Sequence, residues 1–420
     1  MPGTQSDPPV APAIKALDVQ EAIAAIEKQT KTAAQTQHVR ISEALGCFAA
    51  QDIATPINLP PFPASAMDGY ALDSRQLSGD PPYRLNVVGE SLAGHAYRGT
   101  ILPGQCVRIT TGAPVPADAD AVVIQENCTR DGDALTIHVH VPTHNNIRPT
   151  GNDIRAGSVL VSSGKRLNAF DIGWLSACGV AEITVRKPVR VALFSTGDEL
   201  VEAGEPLTEG CIYDANRILL TQLLRAQPVV IHDLGILPDD MDALRTALTG
   251  AAAESDLLLT SGGVSVGDAD LVRDVVEELG RIDFWRIRIK PGKPLAFGHI
   301  GPAAFLGLPG NPASAVVTFL LFGQPLIRKL AGGLPRRRIY YPATLDHPIP
   351  HSPGRDEFRR GCLDFSAGRL LVSSRDDQSS NRLASFSNAD CLIRIPGERA
   401  DLDAGTVVEV LPFFGLISER

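Results

Sequence analysis

The sequence predicts a multi-domain protein of the α/β plus β class, built around a three-layer α/β domain with a mostly parallel sheet. Three observations lead to this prediction. Strand and helix patterns alternate over about 140 residues from Val189 onward, which is typical of a parallel sheet covered by helices on both faces. Short β-branched runs fill residues 80–145 and 335–420. The length of 420 residues is too great for one ordinary core.

The chain before Val189 is expected to begin with a helix and to continue as β structure. Asp18 and Glu21 have the spacing of a capping box, and apolar residues follow at helical spacing. Between two β-branched runs, Asp131-Gly132 predicts a hairpin turn. Residues 146–188 return to a mixed pattern, and the β-rich stretch at the end of the chain predicts a small barrel or sandwich.

The alternating part contains clear signals for strands and for helix starts. Strands are predicted at VRVALFS, VVIHDLGIL and LLLTS, each of which precedes a turn and a helical pattern. Asp214 and Asp240 are expected to cap helices, because an aspartate side chain accepts hydrogen bonds from the free amides of a first turn. Asn311 followed by Pro312 predicts another helix start, since the fixed φ of proline suits the first helical position.

The composition excludes several classes of protein. The 39 lysines and arginines against 48 aspartates and glutamates give a net charge of −9. We therefore expect no general attraction to nucleic acid or to an anionic membrane surface. The seven cysteines include no C-x-x-C pair, which argues against a zinc site and against a disulfide framework. Reduced thiols in a cytoplasmic protein are the simpler interpretation.

No stretch of the sequence predicts a membrane span or a secretory signal. The longest apolar run, Ala315 to Phe322, is expected to be broken by Gly323 and Pro325. It also falls short of the roughly 18 residues that a span requires. The N-terminus lacks a basic start followed by an apolar stretch. These features predict a soluble protein without a membrane partner.

Three turns at the carboxyl ends of predicted strands are candidate ligand sites, because open α/β sheets bind ligands at that edge. They are Ser195–Glu199, Leu237–Asp240 and Ser261–Asp270. In the third turn, Gly262 and Gly263 would let backbone amides approach an oxyanion, while Ser261 and Ser265 supply hydroxyl donors. The same two glycines are also consistent with a tight turn that merely requires positive φ.

A basic turn lies further along the chain. Lys290 and Lys293 bracket a segment stiffened by prolines. Two ammonium groups placed in this way suit phosphate or another tetrahedral anion. The alternative is a basic turn that is simply solvated.

Carboxylates are crowded at the same predicted edge of the sheet. They are Asp198, Glu199, Asp239, Asp240, Asp268 and Asp270. Carboxylates repel a phosphate unless a divalent cation stands between them, and Mg²⁺ commonly takes one or two carboxylates together with substrate oxygens. The mixture therefore predicts Mg²⁺-bridged handling of an anion. Each aspartate alone could instead cap a helix, and Asp68 and Thr111 could be an ordinary turn and a strand end.

Taken together, these residues resemble the molybdopterin molybdotransferase family, which the C-terminal part of gephyrin also represents. The resemblance extends from about residue 18 to residue 415. The matching stretches include SAMDGYA, RITTGAPVP, RPTGNDIRAG, STGDEL, IYDANR, LGILPDD, SGGVSVGDAD, IKPGKP, GLPGNPAS, GRDEFRRG and SNADCLIRIP. One such stretch would be weak support, but this many in order are highly specific.

The resemblance implies four structural parts and a homodimer. The parts are an elongated mixed α/β segment at 15–55 with 145–187, an inserted β domain at 56–144, an α/β molybdopterin-binding domain at 188–330, and a C-terminal β domain at 335–420. In the implied dimer, the α/β domain of one subunit faces the inserted domain of its partner. Asp68 and Thr111 would therefore reach the site from the partner subunit.

The resemblance also implies a reaction and roles for individual residues. Adenylated molybdopterin and molybdate would react with Mg²⁺, so that molybdenum is inserted and AMP is released. The resemblance implies that Glu199, Asp239 and Asp270 hold metal or orient molybdate, and it makes Asp153 a further family acid. It implies that Lys290 and Lys293 bind anionic oxygens and that Ser261, Gly262 and Gly263 cradle phosphate. It also implies that Pro309 and Pro312 shape the pterin pocket and that Arg355 and Arg359 guide anions.

Two other functions remain open at this point. The first is the preceding reaction, ATP-dependent adenylation of molybdopterin, because that family shares the α/β fold and a related glycine turn. It usually lacks the other parts present here. The second is a non-catalytic scaffold, because gephyrin also clusters receptors, although no feature of this sequence marks that role. A separate molybdopterin-adenylating protein is a possible partner.

Overall fold

The computed structural model describes residues 16–33, 35–264, 271–366, 368–374 and 377–414. The chain divides into two compact units. One is His38–Val185, and the other comprises the described residues through Gln37 together with those from Arg186 onward. The four-part division implied by the resemblance stays a prediction.

The first helix begins as the sequence predicts. Helix α1 (Val19–Gln29) follows Asp18, whose carboxylate accepts from the Glu21 N–H, while the Glu21 carboxylate accepts from the Asp18 N–H. This reciprocal pair satisfies two amides that a helix start leaves without partners. Strand β1 (Thr36–Arg40) follows and pairs with β12 (Glu182–Arg186).

The unit His38–Val185 combines a six-stranded sheet with a smaller mixed part. Its remaining elements are β2 (Ile53–Ala54), β3 (Ala64–Ser65), β4 (Gly69–Leu72), β5 (Tyr83–Ser91), β6 (Gln105–Ile109), β7 (Ala121–Ile124), β8 (Cys128–Asp131), β9 (Ala134–Ile137), β10 (Ile147–Arg148), β11 (Val159–Val161) and α2 (Ala169–Ala177). The sheet has the order β7-β4-β6-β5-β9-β8. The hairpin predicted at Asp131-Gly132 is confirmed, because β8 and β9 pair across it.

The other unit contains the α/β sheet. Its elements are β13 (Val189–Thr196), β14 (Leu200–Val201), β15 (Ile212–Tyr213), α3 (Ala215–Arg225), β16 (Val229–Leu237), α4 (Met241–Glu254), β17 (Leu257–Ser261), α5 (Leu271–Leu279), β18 (Gly280–Arg286), β19 (Ile289–Lys290), β20 (Pro294–Ile300), β21 (Ala303–Leu308), α6 (Pro312–Thr318) and α7 (Gln324–Leu330). The sheet order is β16-β13-β17-β21-β20-β18. The pairings from β16 to β21 are parallel and the last two are antiparallel.

Helices cover this sheet in the predicted three-layer arrangement. Helices α4 and α5 pack together over a core that includes Phe194, Leu258 and Phe305. Helices α3 and α6 contact each other, and they contact strands β13 and β21. The predicted caps are confirmed for α3 and α4, where the Asp214 and Asp240 carboxylates accept backbone amides. The mostly parallel α/β prediction is therefore correct.

The apolar stretch after β21 corrects one expectation from the sequence. Helix α6, a π-helical turn at Phe319–Gly323 and α7 form one continuous helix, so Gly323 and Pro325 do not break it. Pro325 has no N–H to offer the Leu321 carbonyl, and the wider turn accommodates the proline ring. Among the described residues, this is the one helix long and apolar enough to cross a membrane, and 78% of its most apolar window is buried, as in a core helix.

Arg338 satisfies the carbonyls at this irregular turn. Its Nη2 donates to the Leu320 carbonyl and, at 2.7 Å, to the Leu321 carbonyl. We predict that Arg338→Met lowers the free energy of unfolding by about 1–3 kcal/mol, because both buried acceptors lose a charged donor. Urea unfolding followed by circular dichroism measures this change.

Two controls make that prediction specific. Arg337→Met changes an exposed neighbouring arginine and should shift the urea midpoint little. Pro325→Ala restores an N–H next to the Leu321 carbonyl, so Arg338→Met should cost less stability in that background. An equal loss of stability in both backgrounds would show that Arg338 does not act through this turn.

The C-terminal part is a closed barrel, as predicted. Its elements are β22 (Tyr341–Leu345), β23 (Asp356–Ser366), β24 (Arg369–Ser373), α8 (Ala384–Ser387), β25 (Cys391–Ile395) and β26 (Val407–Pro412). The strands follow the order β23-β24-β22-β26-β25, and β25 pairs back onto β23 to close the ring. Strand β19 pairs in parallel with the start of β23. The loop that precedes β20 is thereby attached to the barrel.

Candidate active site

The carboxyl ends of four neighbouring strands meet at one edge of the α/β sheet. Thr196 lies opposite Leu237, Ser195 lies opposite Ser261, and Ser261 lies opposite Leu308. Because these pairings are parallel, the turns that follow the four strands open on the same side. The first two candidate turns, the described part of the third (Ser261–Val264) and the later GLPGNPAS segment therefore share an edge, as the sequence predicts.

The acidic turns after β13 and β16 are joined by hydrogen bonds. The Thr196 hydroxyl donates to the Asp239 carboxylate, and the Asp239 N–H donates to Asp198 Oδ1 at 3.3 Å. The Glu199 side chain folds back over Gly197. A Cβ atom added to Gly197 would lie 2.5 Å from Glu199 Oε2. Gly197 has φ +145°, so a side chain at this position would be strained and would displace the carboxylate. Glu199 and Asp239 are both exposed.

These carboxylates fit part of the predicted metal site. Two exposed carboxylates at a strand edge are a donor set that Mg²⁺ accepts, with water and substrate oxygens as further ligands. Asp270 and Ser265, the other predicted contributors, lie outside the described residues. Within the described ranges, no group of three or more His, Cys, Asp or Glu side chains is arranged to hold a metal ion. The complete predicted ligand set of Glu199, Asp239 and Asp270 stays a prediction.

The glycine turn after β17 packs closely against its neighbours. Gly262 and Gly263 have φ +96° and +65°, and a Cβ atom on Gly262 would lie 2.8 Å from the Thr196 carbonyl. A Cβ atom on Gly263 would lie 2.5 Å from Val272 Cγ2. The turn therefore requires glycine for its geometry, which is the tight-turn interpretation, and the lack of side chains also leaves its backbone accessible to a ligand.

Ser261 is buried and its hydroxyl already has partners within the protein. The Asn216 Nδ2 donates to Ser261 Oγ at 2.8 Å, and Ser261 Oγ lies 3.5 Å from the Pro309 carbonyl oxygen. The hydroxyl donor expected from the sequence is thus directed into the protein. Any phosphate contact from Ser261 stays a prediction. The Gly262 N–H likewise donates to the Leu308 carbonyl at 3.1 Å, and the backbone of Gly262 and Gly263 is half-buried.

Asn216 is a site residue that the sequence analysis did not single out. Its Nδ2 also donates to the Gly310 carbonyl at 2.6 Å, so one carboxamide joins the turn after β17 to the turn after β21. Its Oδ1 is buried and has no hydrogen-bond partner within the described part of the chain. The IYDANR stretch contains Asn216, but only the packing of α3 against both turns reveals this contact.

The two proline positions lie at the start of helix α6. Pro309 is buried, and Pro312 occupies the first turn after the N-cap Asn311, as predicted. The Ala313 N–H donates to the Ser380 carbonyl at 3.0 Å. A loop from the C-terminal barrel therefore lies against the start of this helix. The role of both prolines in a pterin pocket stays a prediction.

The basic turn packs on the same helix. Gly292 has φ +109°, and a Cβ atom there would lie 2.5 Å from Thr318 Cγ2 of α6. Lys290 and Lys293 are both exposed. Lys290 Nζ lies 3.1 Å from Glu357 Oε1 on barrel strand β23. The lysine turn and the proline turn are thus brought together through α6, although the chain separates them.

The barrel supplies arginines of two kinds. Arg355 is exposed at the start of β23, whereas Arg359 is half-buried and donates from Nη1 to the Pro350 carbonyl at 3.3 Å. Arg360 was not singled out from the sequence. It is buried, and its guanidinium donates to the carbonyls of three successive residues, Asp377, Gln378 and Ser379. Arg360 therefore stabilises the loop at residues 377–379. The next residue, Ser380, contacts the start of α6.

Asp68 and Thr111 meet in the other compact unit. Asp68 Oδ1 accepts from the Thr111 N–H at 2.7 Å and from the Thr111 hydroxyl at 2.8 Å. These two hydrogen bonds, first that from the backbone, hold the pKa of the Asp68 carboxyl below its ordinary value. Asp153 is exposed in the same unit, and its N–H donates to the Leu59 carbonyl at 2.9 Å. The catalytic roles of these residues stay predictions.

The pairing of Asp68 with Thr111 leads to a testable titration. A carboxyl with a lowered pKa stays ionised further into acid, so its hydrogen bonds stabilise the folded unit above the ordinary pKa, and this contribution is lost as the pH falls through the lowered pKa. We predict that Thr111→Val raises the pKa of Asp68 toward its ordinary value, which carboxyl-carbon NMR measures. Asp73, whose pKa is lowered mainly by Arg75, serves as the control and should titrate unchanged.

Comparisons with known sequence families cover most of the chain. Residues 17–179 match the family described as MoeA N-terminal region (domain I and II), residues 192–329 match the probable molybdopterin binding domain, and residues 342–413 match the MoeA C-terminal region (domain IV). The three matches follow one another in the order expected from the resemblance.

Individual relatives are similar over the same length. A protein named molybdopterin molybdenumtransferase from Haemophilus influenzae is 39% identical over 386 residues, which cover 91% of this chain and 95% of that protein. Gephyrin from Dictyostelium discoideum is 31% identical over 90% of this chain, which spans 59% of that longer protein. The solved molybdopterin biosynthesis moeA protein from Pyrococcus horikoshii OT3 has a TM-score of 0.82 and 28% identity, over 94% of this chain and 99% of that one.

Proposed function

Because the chain belongs to the molybdopterin molybdenumtransferase family and is an enzyme of molybdenum cofactor biosynthesis, we propose that it inserts molybdate into adenylated molybdopterin and releases AMP. One observation supports this proposal above the others. The acidic, glycine and proline turns of the α/β sheet open on one edge, and the lysine turn packs against the helix that begins there. An anionic pterin nucleotide and an oxoanion both require such a mixture of groups.

Each group has a distinct task in the proposed reaction. The backbone of the Gly262–Gly263 turn lies against the phosphate, where small residues allow a close approach. Lys290 and Lys293 bind the oxygens of molybdate or of the phosphate. Arg355 is exposed at the barrel and adds positive charge. The Pro309 and Pro312 segment forms one wall of the pterin pocket.

Mg²⁺ is part of the proposal because carboxylates and phosphates must coexist at this edge. Glu199 and Asp239, with Asp270, would hold the ion. When bound, Mg²⁺ would neutralise the negative charge that develops on the phosphate as AMP leaves. Thr196 orients the Asp239 carboxylate through its hydroxyl hydrogen bond. Glu199 is kept at the turn by the absence of a side chain on Gly197.

We further propose a homodimer in which Asp68 and Thr111 complete the site of the partner subunit. Both residues are exposed on their own unit, and the Thr111 contacts keep Asp68 ionised and oriented. An ionised, exposed carboxylate with a fixed geometry suits a residue that contacts a ligand or its metal. The reaction is proposed to occur in the cytoplasm, which agrees with seven free cysteines.

A three-way assay tests the proposed reaction. Purified protein is supplied with adenylated molybdopterin, molybdate and Mg²⁺, and AMP is measured. Release of AMP that depends on molybdate supports molybdenum insertion. Consumption of ATP with plain molybdopterin would instead identify the adenylation reaction. If neither activity is observed, the result supports a non-catalytic scaffold. If Mg²⁺ is required, AMP release should be abolished when the ion is omitted or when a chelator is added.

A further inference from the structure

Glu357 and His351 form a buried pair in the barrel beside the lysine turn. We propose that they are positioning residues that fix the ammonium group of Lys290 for oxoanion binding, an inference that rests on the proposed function of this turn. Neither residue is exposed enough to contact a substrate itself, because Glu357 is 3% exposed and His351 is 7% exposed. We infer that their effect on binding passes through Lys290, the exposed cation that Glu357 contacts.

The backbone already brings Lys290 to this pair. Strand β19 runs parallel to the start of β23, with Ile289 opposite Asp356 and Lys290 opposite Glu357. The side chains then meet, since Lys290 Nζ lies 3.1 Å from Glu357 Oε1. Glu357 Oε2 lies 2.8 Å from His351 Nδ1. One carboxylate therefore uses one oxygen for the lysine and the other for the histidine.

The protonation of the pair follows from its partners. Burial alone would raise the pKa of Glu357, but the hydrogen bonds from His351 and Lys290 outweigh burial and lower it. Glu357 is therefore an ionised acceptor, and His351 Nδ1 must carry the proton that it donates. Among the residues that the structure describes, His351 Nε2 is buried without a hydrogen-bond partner, so the bond to Glu357 is made by Nδ1 alone.

The histidine is itself held in place by the barrel. Its backbone N–H donates to Asp401 Oδ1 at 2.8 Å, and its side chain bonds the carboxylate oxygen that Lys290 does not use. This arrangement gives Glu357 one preferred orientation. A carboxylate that cannot rotate fixes the ammonium group more firmly than a solvated one does. Lys290 is exposed, as is Lys293, but its ion pair with Glu357 makes it the fixed lysine of the turn.

The first experiment measures the ion pair between Lys290 and Glu357 without any assay of function. The intact protein is treated with a dilute acetylating reagent, and modification of Lys290 and Lys293 is followed by mass spectrometry. In Glu357→Gln, acetylation of Lys290 relative to Lys293 should rise about fivefold, the factor that corresponds to about 1 kcal/mol for a partly exposed ion pair. Glu409→Gln, which removes an ion pair with Arg394 elsewhere on the barrel, should leave the ratio unchanged.

The second experiment measures oxoanion binding with molybdate alone, by equilibrium dialysis. Glu357→Gln should weaken binding about fivefold, in line with the loss of one partly exposed ion pair. In a Lys290→Ala background the same substitution should have no further effect, because its influence passes through the lysine. A purely structural role would instead weaken binding equally in both backgrounds and would lower the thermal midpoint in parallel.

His351 provides a conservative rescue. His351→Asn retains an N–H donor at a similar position and should keep both the acetylation ratio and the molybdate affinity close to those of the wild type. His351→Leu removes the donor and should behave like Glu357→Gln. This pair of variants separates the hydrogen bond to Glu357 from the filling of space in the barrel.

The outcomes also separate this inference from the proposed reaction. An unchanged acetylation ratio in Glu357→Gln overturns the inference, whatever the protein catalyses. Unchanged or tighter molybdate binding in that variant, or no molybdate binding by the wild type, overturns it as well, since tighter binding would mean that Glu357 merely repels the anion. A wild-type protein that binds molybdate through Lys290 and Glu357 but releases no AMP would leave the inference standing and refute the reaction.

Discussion

Asp68→Ala is expected to reduce AMP release from adenylated molybdopterin by about 10²- to 10³-fold, the effect of losing one preorganised electrostatic contact at a reacting centre. Because a carboxylate repels phosphate, Asp68 is expected to act through the metal that the ligand binds. The fold should remain intact, because Asp68 is exposed and its carboxylate makes its contacts with Thr111 at the surface. The assay combines AMP release with the thermal midpoint of each variant. A large loss of rate with only a small fall in the midpoint, from the loss of the surface hydrogen bonds to Thr111, is the expected result.

A matched substitution controls for a general loss of surface charge. Asp73 belongs to the same unit, and its carboxylate likewise accepts from a backbone N–H and a side chain, in this case those of Arg75. Asp73→Ala should therefore leave AMP release at the wild-type rate. If Asp68→Ala were as active as Asp73→Ala, Asp68 would have no place in the mechanism.

Co-expression of two inactive variants is expected to restore activity. If Asp68 completes the site of the partner subunit, Asp68→Ala and Asp239→Asn disable different halves of a shared site. A mixed dimer then contains one fully intact site, formed by the unaltered Asp68 of one chain and the unaltered Asp239 of the other. Random pairing makes half of the dimers mixed, so activity should return to about one quarter of the wild-type value.

The alternative arrangement gives a clearly different result. If both residues served the site of their own chain, every site in every dimer would lack one of them and activity would stay near the background. Co-expression of Asp68→Ala with a differently tagged Asp68→Ala chain provides the zero reference. Recovery of the mixed dimer through two tags shows that the chains have paired, so that a negative result would exclude the shared site.

Local signals in the sequence were sufficient for much of the fold. Asp18 with Glu21, Asp214 and Asp240 cap the helices predicted for them, because capping depends on residues within one turn. The turn at Asp131-Gly132 likewise depends on its own backbone. The exception is the helix that continues through Pro325. There the π-helical turn accommodates the proline and Arg338, which is distant in sequence, satisfies the freed carbonyls.

The candidate site likewise contains features that the sequence predicted and contacts that it did not predict. The positions of Glu199, Asp239 and the Gly262–Gly263 turn at strand ends followed from the order of strands and helices, because parallel strands place their carboxyl ends at one edge. The contacts of Asn216 with Ser261, of Glu357 with Lys290 and of Arg360 with the 377–379 loop did not, since these partners are remote along the chain.

The sequence by itself therefore determined the fold class, the family and the groups of residues that we predict to carry the chemistry, since these depend on periodicity, local turns and ordered motifs. Only the tertiary structure decided which of these groups act on one another. It directed the Ser261 hydroxyl toward Asn216 and joined Lys290 to Glu357 and His351. The physical reason is that hydrogen bonds and ion pairs act over a few ångströms, and only packing brings distant segments that close.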